Sequence, residues 1–196
     1  MAPGRRLAGT PAPDALWGMH SQIADVIGQF DAATNAARAL VASMDDAAFA
    51  RRPIHEKWSP AECLVHLNIT TEAYLPLLDA AVAANAAAPR SDSVRYRKDA
   101  FGWFLSWIME PPYRMRVKTP AAFVPGATQP RDAVMADVAR LNAALADRAR
   151  ALAGLDLNQI KVPSVFGMGS YNAWSVFTIL VAHQRRHLWQ AECNRT

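Results

Sequence analysis

The stretch of residues 172–192 reads NAWSVFTILVAHQRRHLWQAE. Steps of four, three, four and three residues connect the members of one stripe along it, Val176, Leu180, His183, His187 and Gln190. This spacing is that of one face of an α-helix. We therefore predict a helix here, in which both histidines continue the apolar stripe and point inward.

Three further segments show the same helical periodicity. The first covers about residues 21–44 and the third about residues 130–153. The second begins with Ser59 as N-cap, followed by a proline and by Glu62, which completes a capping box. Pro76 is expected to kink this helix, because proline removes one backbone hydrogen bond.

Alternation with a period of two is confined to short pieces near residues 113–118 and 160–166. Four long amphipathic helices with almost no strand predict an all-α protein, a four-helix bundle.

The crossover between the second and third helices, residues 89–129, is longer than a usual connection. We expect a short helix within it at residues 99–109. The crossover is rich in aromatic residues: Tyr96, Phe101, Trp103, Phe104, Trp107, Tyr113 and Phe123. We expect them to cap the bundle core, and a lid over a site or a dimer surface is the alternative.

Length and composition fit one domain, residues 17–196, after a flexible tail at residues 1–16. The net charge is +4 with scattered basic residues, which argues against nucleic-acid binding. No apolar run approaches the ~20 residues that span a bilayer, and the N-terminus lacks the apolar region of a secretory signal. The two cysteines, Cys63 and Cys193, fit a reducing cytoplasm, although they could still pair.

Two histidines at positions i and i+4 on an inward face are a familiar metal-ligand spacing, and a divalent cation binds such rings in their neutral form. The best third ligand is His66, which lies on the second helix beside its core stripe. His20 and His55 are not held on a rigid inward face. Gln184 follows His183 where zinc proteases have a glutamate, so a protease of that type is excluded. Histidines that are merely hydrogen-bonded in the core are the alternative.

The residues also resemble a known family. Residues 58–67 read WSPAECLVHL and residues 182–190 read AHQRRHLWQ, and residues 166–172 precede the last helix as FGMGSYN. These segments are similar to the tryptophan-serine, glutamate and histidine element and the HxxRHxxQ element of the DinB/YfiT-like superfamily. The resemblance extends from the first helix to the end of the chain.

This resemblance implies that His66, His183 and His187 hold a divalent metal ion, zinc or nickel. It implies a four-helix bundle with a long crossover after the second helix, which packs as a homodimer. Members with known reactions are transferases and isomerases that use a low-molecular-weight thiol. A small-molecule substrate is therefore expected here, without nucleic acid or membrane as a partner, and no motif identifies the substrate.

Two interpretations remain open at this point. In the first, an open metal site activates a thiol or water for transfer, isomerisation or hydrolysis. In the second, the chain is a non-catalytic binding module, and Glu62 or Cys63 closes the coordination of a structural metal. Arg186 either holds an anionic substrate or pairs with a surface acid. Three tryptophans are expected to serve core or interface packing: Trp58, Trp174 and Trp189.

Overall fold

The computed structural model describes residues 20–91, 93–115, 118–126, 129–167 and 169–195. Helices dominate these residues, so the all-α prediction is confirmed at that level. The four long helices are α1 (Ser21–Ala42), α3 (Pro60–Ala84), α5 (Arg131–Ala151) and α6 (Ala173–Cys193), and the two shorter ones are α2 (Asp46–Ala50) and α4 (Ala100–Met109). The remaining elements are a 3₁₀ turn (Ala121–Phe123) and the strands β1 (Lys161–Pro163) and β2 (Ser170–Asn172).

The four long helices form the core between them. Both α1 and α3 pack against α5 and α6, and α4 packs against α6. Buried side chains from all four long helices meet in one cluster, which includes Phe30, Tyr74, Leu145 and Phe177. A second cluster around Leu64 joins α1, α3 and α5. The four long helices therefore bury their predicted apolar stripes against one another.

Local sequence sets where the helices begin. The Ser59 side chain accepts a hydrogen bond from the Glu62 N–H, and the Glu62 carboxylate accepts one from the Ser59 N–H, which is the predicted capping box. Asn172 caps α6 by accepting from the N–H of Ser175. The helix α3 continues through Pro76 to Ala84. These caps fix the rotational phase of α3 and α6, and with it the direction of their histidines.

Three small elements were not predicted: α2, the 3₁₀ turn and β2. β1 lies within the alternating piece at residues 160–166, and it pairs antiparallel with β2 through Val162 and Tyr171. β2 and α2 are too short for a periodicity signal. In the other alternating piece, at residues 113–118, the described positions form no strand. The predicted tail, residues 1–16, lies outside the described residues.

The crossover buries only part of its aromatic content. Tyr96 and Phe123 are buried and contribute to the core, as the capping interpretation expects. Trp103, Phe104 and Trp107 on α4 are instead exposed, at 56, 42 and 43%. The crossover therefore caps the core and also presents an aromatic surface.

The opposite side of α4 lies close to α6. A Cβ atom on Gly102 would overlap Oγ and Cβ of Ser175, so the two helices approach this closely only because residue 102 is a glycine. The Asp99 carboxylate accepts hydrogen bonds from the N–H groups of Gly102 (2.7 Å) and Asn172 (2.6 Å). One side chain thereby ties the start of α4 to the residue that caps α6.

The described residues also bear on two points raised by the sequence, a membrane-spanning segment and a disulfide. None of the described helices is long and apolar enough to cross a bilayer. Cys63 and Cys193 are both free, the first buried and the second exposed, so they do not pair with each other.

Candidate metal centre

The last helix presents two histidines to the protein interior. His183 and His187 lie one turn apart on α6, and their ring centroids are 4.5 Å apart. They are 6 and 7% exposed. The inward direction predicted from the stripe agrees with this burial.

The helix α3 supplies the third histidine. His66 is 4% exposed, its Nε2 lies 3.1 Å from Nε2 of His183, and its ring centroid lies 4.5 Å from that of His187. One ring nitrogen from each of the three lies within 4.8 Å of the others. The structure therefore brings the three predicted ligands together. His20 instead caps α1, and His55 is exposed in the loop before α3.

A backbone carbonyl orients the ring of His66. Nδ1 of His66 donates a hydrogen bond to the carbonyl oxygen of Phe123 over 2.7 Å. Because a carbonyl only accepts, Nδ1 carries the proton, and Nε2 of the neutral ring keeps its lone pair for the cluster. Metal-binding histidines are commonly held in this way through their second nitrogen. The sequence carried no signal for this partner, since any residue supplies a carbonyl.

The surroundings favour neutral rings. Burial lowers the pKa of His66, and the hydrogen bond to Phe123 acts more weakly in the opposite direction. Burial also holds the pKa values of His183 and His187 well below the usual 6.5, with further contributions from the neighbouring imidazoles and from the positive charge of Arg186. A neutral imidazole is the form that binds a metal ion.

The donor set meets the requirements of a zinc-like ion. Nδ1 of His187 is buried, and no described residue forms a hydrogen bond with it. Tetrahedral coordination at the usual zinc–nitrogen distance separates two ligand nitrogens by about 3.3 Å. The Nε2 atoms of His66 and His183 are 3.1 Å apart, close to that value. Among the described residues, no cysteine or carboxylate joins the three histidines.

The sequence matches the family model of the DinB superfamily over residues 29–191. The chain belongs to this superfamily. The match runs from within α1 to the last turn of α6, so it includes all three histidines. No curated protein and no solved structure matches the chain.

In this member of the DinB superfamily, the two candidates for a fourth ligand have other surroundings. Glu62 completes the capping box, and it forms an ion pair with Arg52 in which two hydrogen bonds measure 2.8 and 3.0 Å. Cys63 is fully buried, and burial raises the pKa of its thiol, so the thiol remains protonated. Neither residue belongs to the histidine cluster.

Arg186 does not lie at the surface beside an acidic residue, which was one of the two positions expected for it. Its side chain is only 6% exposed, and its guanidinium donates to the carbonyl oxygens of Ile108 (2.9 Å) and Met115 (3.0 Å). The same group lies 4.4 Å from the ring centroid of Tyr113. Arg186 therefore binds both the last turn of α4 and the segment that follows it, and the prediction of a surface ion pair is wrong.

Among the three tryptophans, Trp58 lies beside the cluster. Its ring centroid is 4.9 Å from that of His66 and 5.9 Å from that of His187. Trp174 packs against Tyr96 in the core, at 5.3 Å between centroids, as expected for a packing residue. The half-buried ring of Trp58 thus forms one wall of the candidate site, a position that the packing interpretation missed.

Gln184 points into the core between the helices. It is buried and donates from Nε2 to Oδ1 of Asn142 on α5 at 2.5 Å. Asn142 in turn donates to Thr34 on α1 over 2.9 Å. This polar chain joins three long helices, so the residue after His183 serves packing and not the cluster.

Proposed function

We propose that this chain is a metal-dependent enzyme of the DinB superfamily, in which His66, His183 and His187 bind one divalent ion, zinc or nickel. The observation that carries the proposal is the cluster of three buried imidazoles whose ligand nitrogens lie within 4.8 Å of one another. Membership of the superfamily agrees with it. The scaffold that we propose for the site is a four-helix bundle of α1, α3, α5 and α6.

A divalent ion held by three neutral histidines acts as a Lewis acid toward a thiol, water or carbonyl group in its remaining coordination position. The substrate that we propose is a small molecule, with a low-molecular-weight thiol as cosubstrate in a transfer or isomerisation. The Phe123 carbonyl keeps Nε2 of His66 available, and burial keeps all three rings unprotonated. Trp58 excludes solvent from one side of the rings.

The alternative function is a non-catalytic module in which the metal or the histidines stabilise the fold. That alternative needs a fourth protein ligand or internal hydrogen bonds for all three rings. Glu62 is already paired with Arg52, and Cys63 is a buried thiol outside the cluster. Because Nδ1 of His187 has no hydrogen-bond partner among the described residues, hydrogen bonds alone do not account for the cluster. These contacts favour the enzyme.

The metal content of the untagged protein tests the proposal. We expect about one equivalent of zinc or nickel per chain by elemental analysis, and its loss in the His66→Ala and His183→Ala variants. His55→Ala is the matched control, because His55 is exposed and outside the cluster. It should retain the metal. A wild-type protein that stays metal-free after incubation with either ion would contradict the proposal.

We also propose that the chain forms a homodimer through the exposed side of α4. Trp103 and Trp107 have nearly parallel rings, 6.3 Å apart and inclined by 10°, and both are exposed together with Phe104. Contiguous exposed aromatic side chains are typical of a protein interface. Light scattering should give the dimer mass for the wild type and the monomer mass for a Trp103→Ser, Trp107→Ser double variant. A monomeric wild type would exclude this interface.

A further inference from the structure

The helix α3 carries a row of three buried polar side chains on one face. His66, Thr70 and Tyr74 follow one another at intervals of four residues. Residues at this spacing are neighbours on an α-helix, with Cβ atoms roughly 6 Å apart. We refer to these three residues as the α3 polar row.

The first and last members of the α3 polar row have partners. His66 donates to the Phe123 carbonyl, and the Tyr74 hydroxyl bonds to the hydroxyl of Tyr171. Oγ1 of Thr70, between them, is buried and has no hydrogen-bond partner among the residues that the structure describes. Thr70 is 2% exposed, so bulk solvent does not satisfy this hydroxyl either. A buried hydroxyl without a partner is unfavourable, and its presence calls for an explanation.

The ordinary way to satisfy a threonine within a helix is available but not used. A helical threonine usually donates to the carbonyl three or four residues earlier. In this protein Thr34 donates to the Phe30 carbonyl at 3.1 Å, and Thr178 donates to the Ser175 carbonyl at 3.0 Å. The equivalent acceptor for Thr70 is the carbonyl of His66. The hydroxyl of Thr70 is therefore free for a partner outside α3.

Thr70 lies one helical turn after His66, a member of the candidate metal centre. Helical side chains lean toward the N-terminus of their helix, so that of Thr70 lies over the turn that carries His66. The 3₁₀ turn and β1 pack against α3. The ring of Phe123, in that turn, packs against that of Phe166, just after β1, with centroids 5.1 Å apart. Trp58 lies against the rings of His66 and His187 and gives the site one aromatic wall.

We infer that the Thr70 hydroxyl binds the head group of the small molecule that enters the metal site. The inference rests on the proposed function. The ligand class that fits is a molecule with one oxygen- or sulfur-bearing head group on an apolar body. The head group would pair with Oγ1 of Thr70, and the apolar body would pack against the ring of Trp58. Thr70 is thus a binding residue that gains its partner only when the ligand arrives.

Benzyl mercaptan is a suitable probe, because it joins a thiol head to an apolar ring. Untagged protein loaded with cobalt(II) would be titrated with it, and binding followed by the thiolate-to-cobalt absorption band. We expect the Kd to rise about threefold to tenfold in Thr70→Val, which replaces only the hydroxyl, as for the loss of one hydrogen bond. Thr70→Ser, which keeps the hydroxyl, should stay within about twofold of the wild type.

The thermal midpoint of the metal-free variants separates binding from a structural role. Thr70→Val should unfold at or above the wild-type midpoint, because it removes an unsatisfied group. Thr34→Val is the matched control and should unfold at a lower temperature, because Thr34 bonds to Phe30 and Asn142. A midpoint of Thr70→Val lowered as far as that of Thr34→Val would overturn the inference.

The remaining outcomes are equally decisive. An unchanged Kd in Thr70→Val, with cobalt bound normally, would overturn the role of Thr70 and leave the metal site intact. Normal cobalt binding without any binding of benzyl mercaptan by the wild type would overturn the ligand class. A wild type that shows no cobalt spectrum would overturn the proposed function, and this inference with it.

Discussion

The Nδ1 atom of His66 and the carbonyl oxygen of Phe123 are 2.7 Å apart, although 57 positions separate the two residues in the chain. This hydrogen bond joins the candidate ligand on α3 to the 3₁₀ turn in the crossover. The orientation of one candidate ligand ring therefore depends on how the crossover is held against the long helices.

The stability of the metal-free protein should depend on pH through the three buried histidines. Their pKa values are lowered in the folded state, so the unfolded chain takes up more protons below its ordinary value near 6.5. Stability is therefore complete above pH 6.5 and falls as the pH drops toward the lower folded-state values. Each histidine contributes a slope of about 1.4 kcal/mol per pH unit in this range.

Urea unfolding in the presence of a chelator, at half-unit steps from pH 8 to pH 5, measures this dependence. Added zinc should move the onset of the loss to lower pH, because a bound ion holds the rings neutral. A free energy of unfolding that stays constant from pH 7.5 to pH 5 would show that the three rings do not resist protonation.

Arg186 should stabilise the crossover, whereas its neighbour Arg185 should not. Replacement of Arg186 by methionine leaves the carbonyls of Ile108 and Met115 without their donor. We expect a loss of about 2 kcal/mol, since relief of the buried charge offsets part of the lost hydrogen bonding. Arg185→Met removes an exposed pair with Glu110 and should change the free energy of unfolding by less than about 0.5 kcal/mol.

Limited proteolysis adds a local measurement to the unfolding free energies of these two variants. Cleavage within residues 108–115 should become faster in Arg186→Met than in Arg185→Met. Equal cleavage rates in the two variants would show that Arg186 does not hold this segment.

Two glycines in helices should respond to alanine in opposite directions. Gly102→Ala forces α4 away from α6, because the new Cβ overlaps Ser175, and overpacking of this kind costs about 1–3 kcal/mol. Gly28 lies on the exposed side of α1, and no atom lies within 4 Å of the position that an added methyl group would take. Gly28→Ala should therefore stabilise the protein by about 0.5–1 kcal/mol through helix propensity. Thermal unfolding of the two variants shows whether each change raises or lowers stability. A Gly102→Ala variant as stable as the wild type would contradict the close approach of α4 to α6.

The hydroxyls of Tyr74 and Tyr171 should be energetically coupled. Both side chains are fully buried, and their hydroxyls form a hydrogen bond between α3 and β2. Either single change to phenylalanine leaves one hydroxyl with a lost partner and should cost about 1–2 kcal/mol. The double variant should cost less than the sum, because it removes both polar groups. A double-mutant cycle by urea unfolding measures the coupling, and strict additivity would contradict the contact.

Most of the fold was predictable because its signals are local. The 3.6-residue periodicity gave the four long helices, and Ser59 and Asp99 indicated where α3 and α4 begin. The three clustered histidines were also predictable, since the faces of α3 and α6 follow from the same periodicity. Short elements such as β2 were not, because three residues are too few to show a period.

The contacts that complete the site could not be predicted, because they link distant positions through groups without a sequence signature. The carbonyl of Phe123 is a backbone group that every residue possesses. Arg186 binds two carbonyls where a carboxylate partner would have been the usual expectation. For Thr70 the informative fact is a missing hydrogen bond, which only coordinates can reveal.

The distribution of the histidines also bears on how the protein folds in a cell. His66 and His183 are 117 positions apart, so an ion shared between them would act as a reversible cross-link that closes most of the chain into a loop. Free metal at a hundred times its Kd would add about 2.7 kcal/mol to the stability of the native state. The lifetime of the protein, and not only its activity, would then follow the supply of metal.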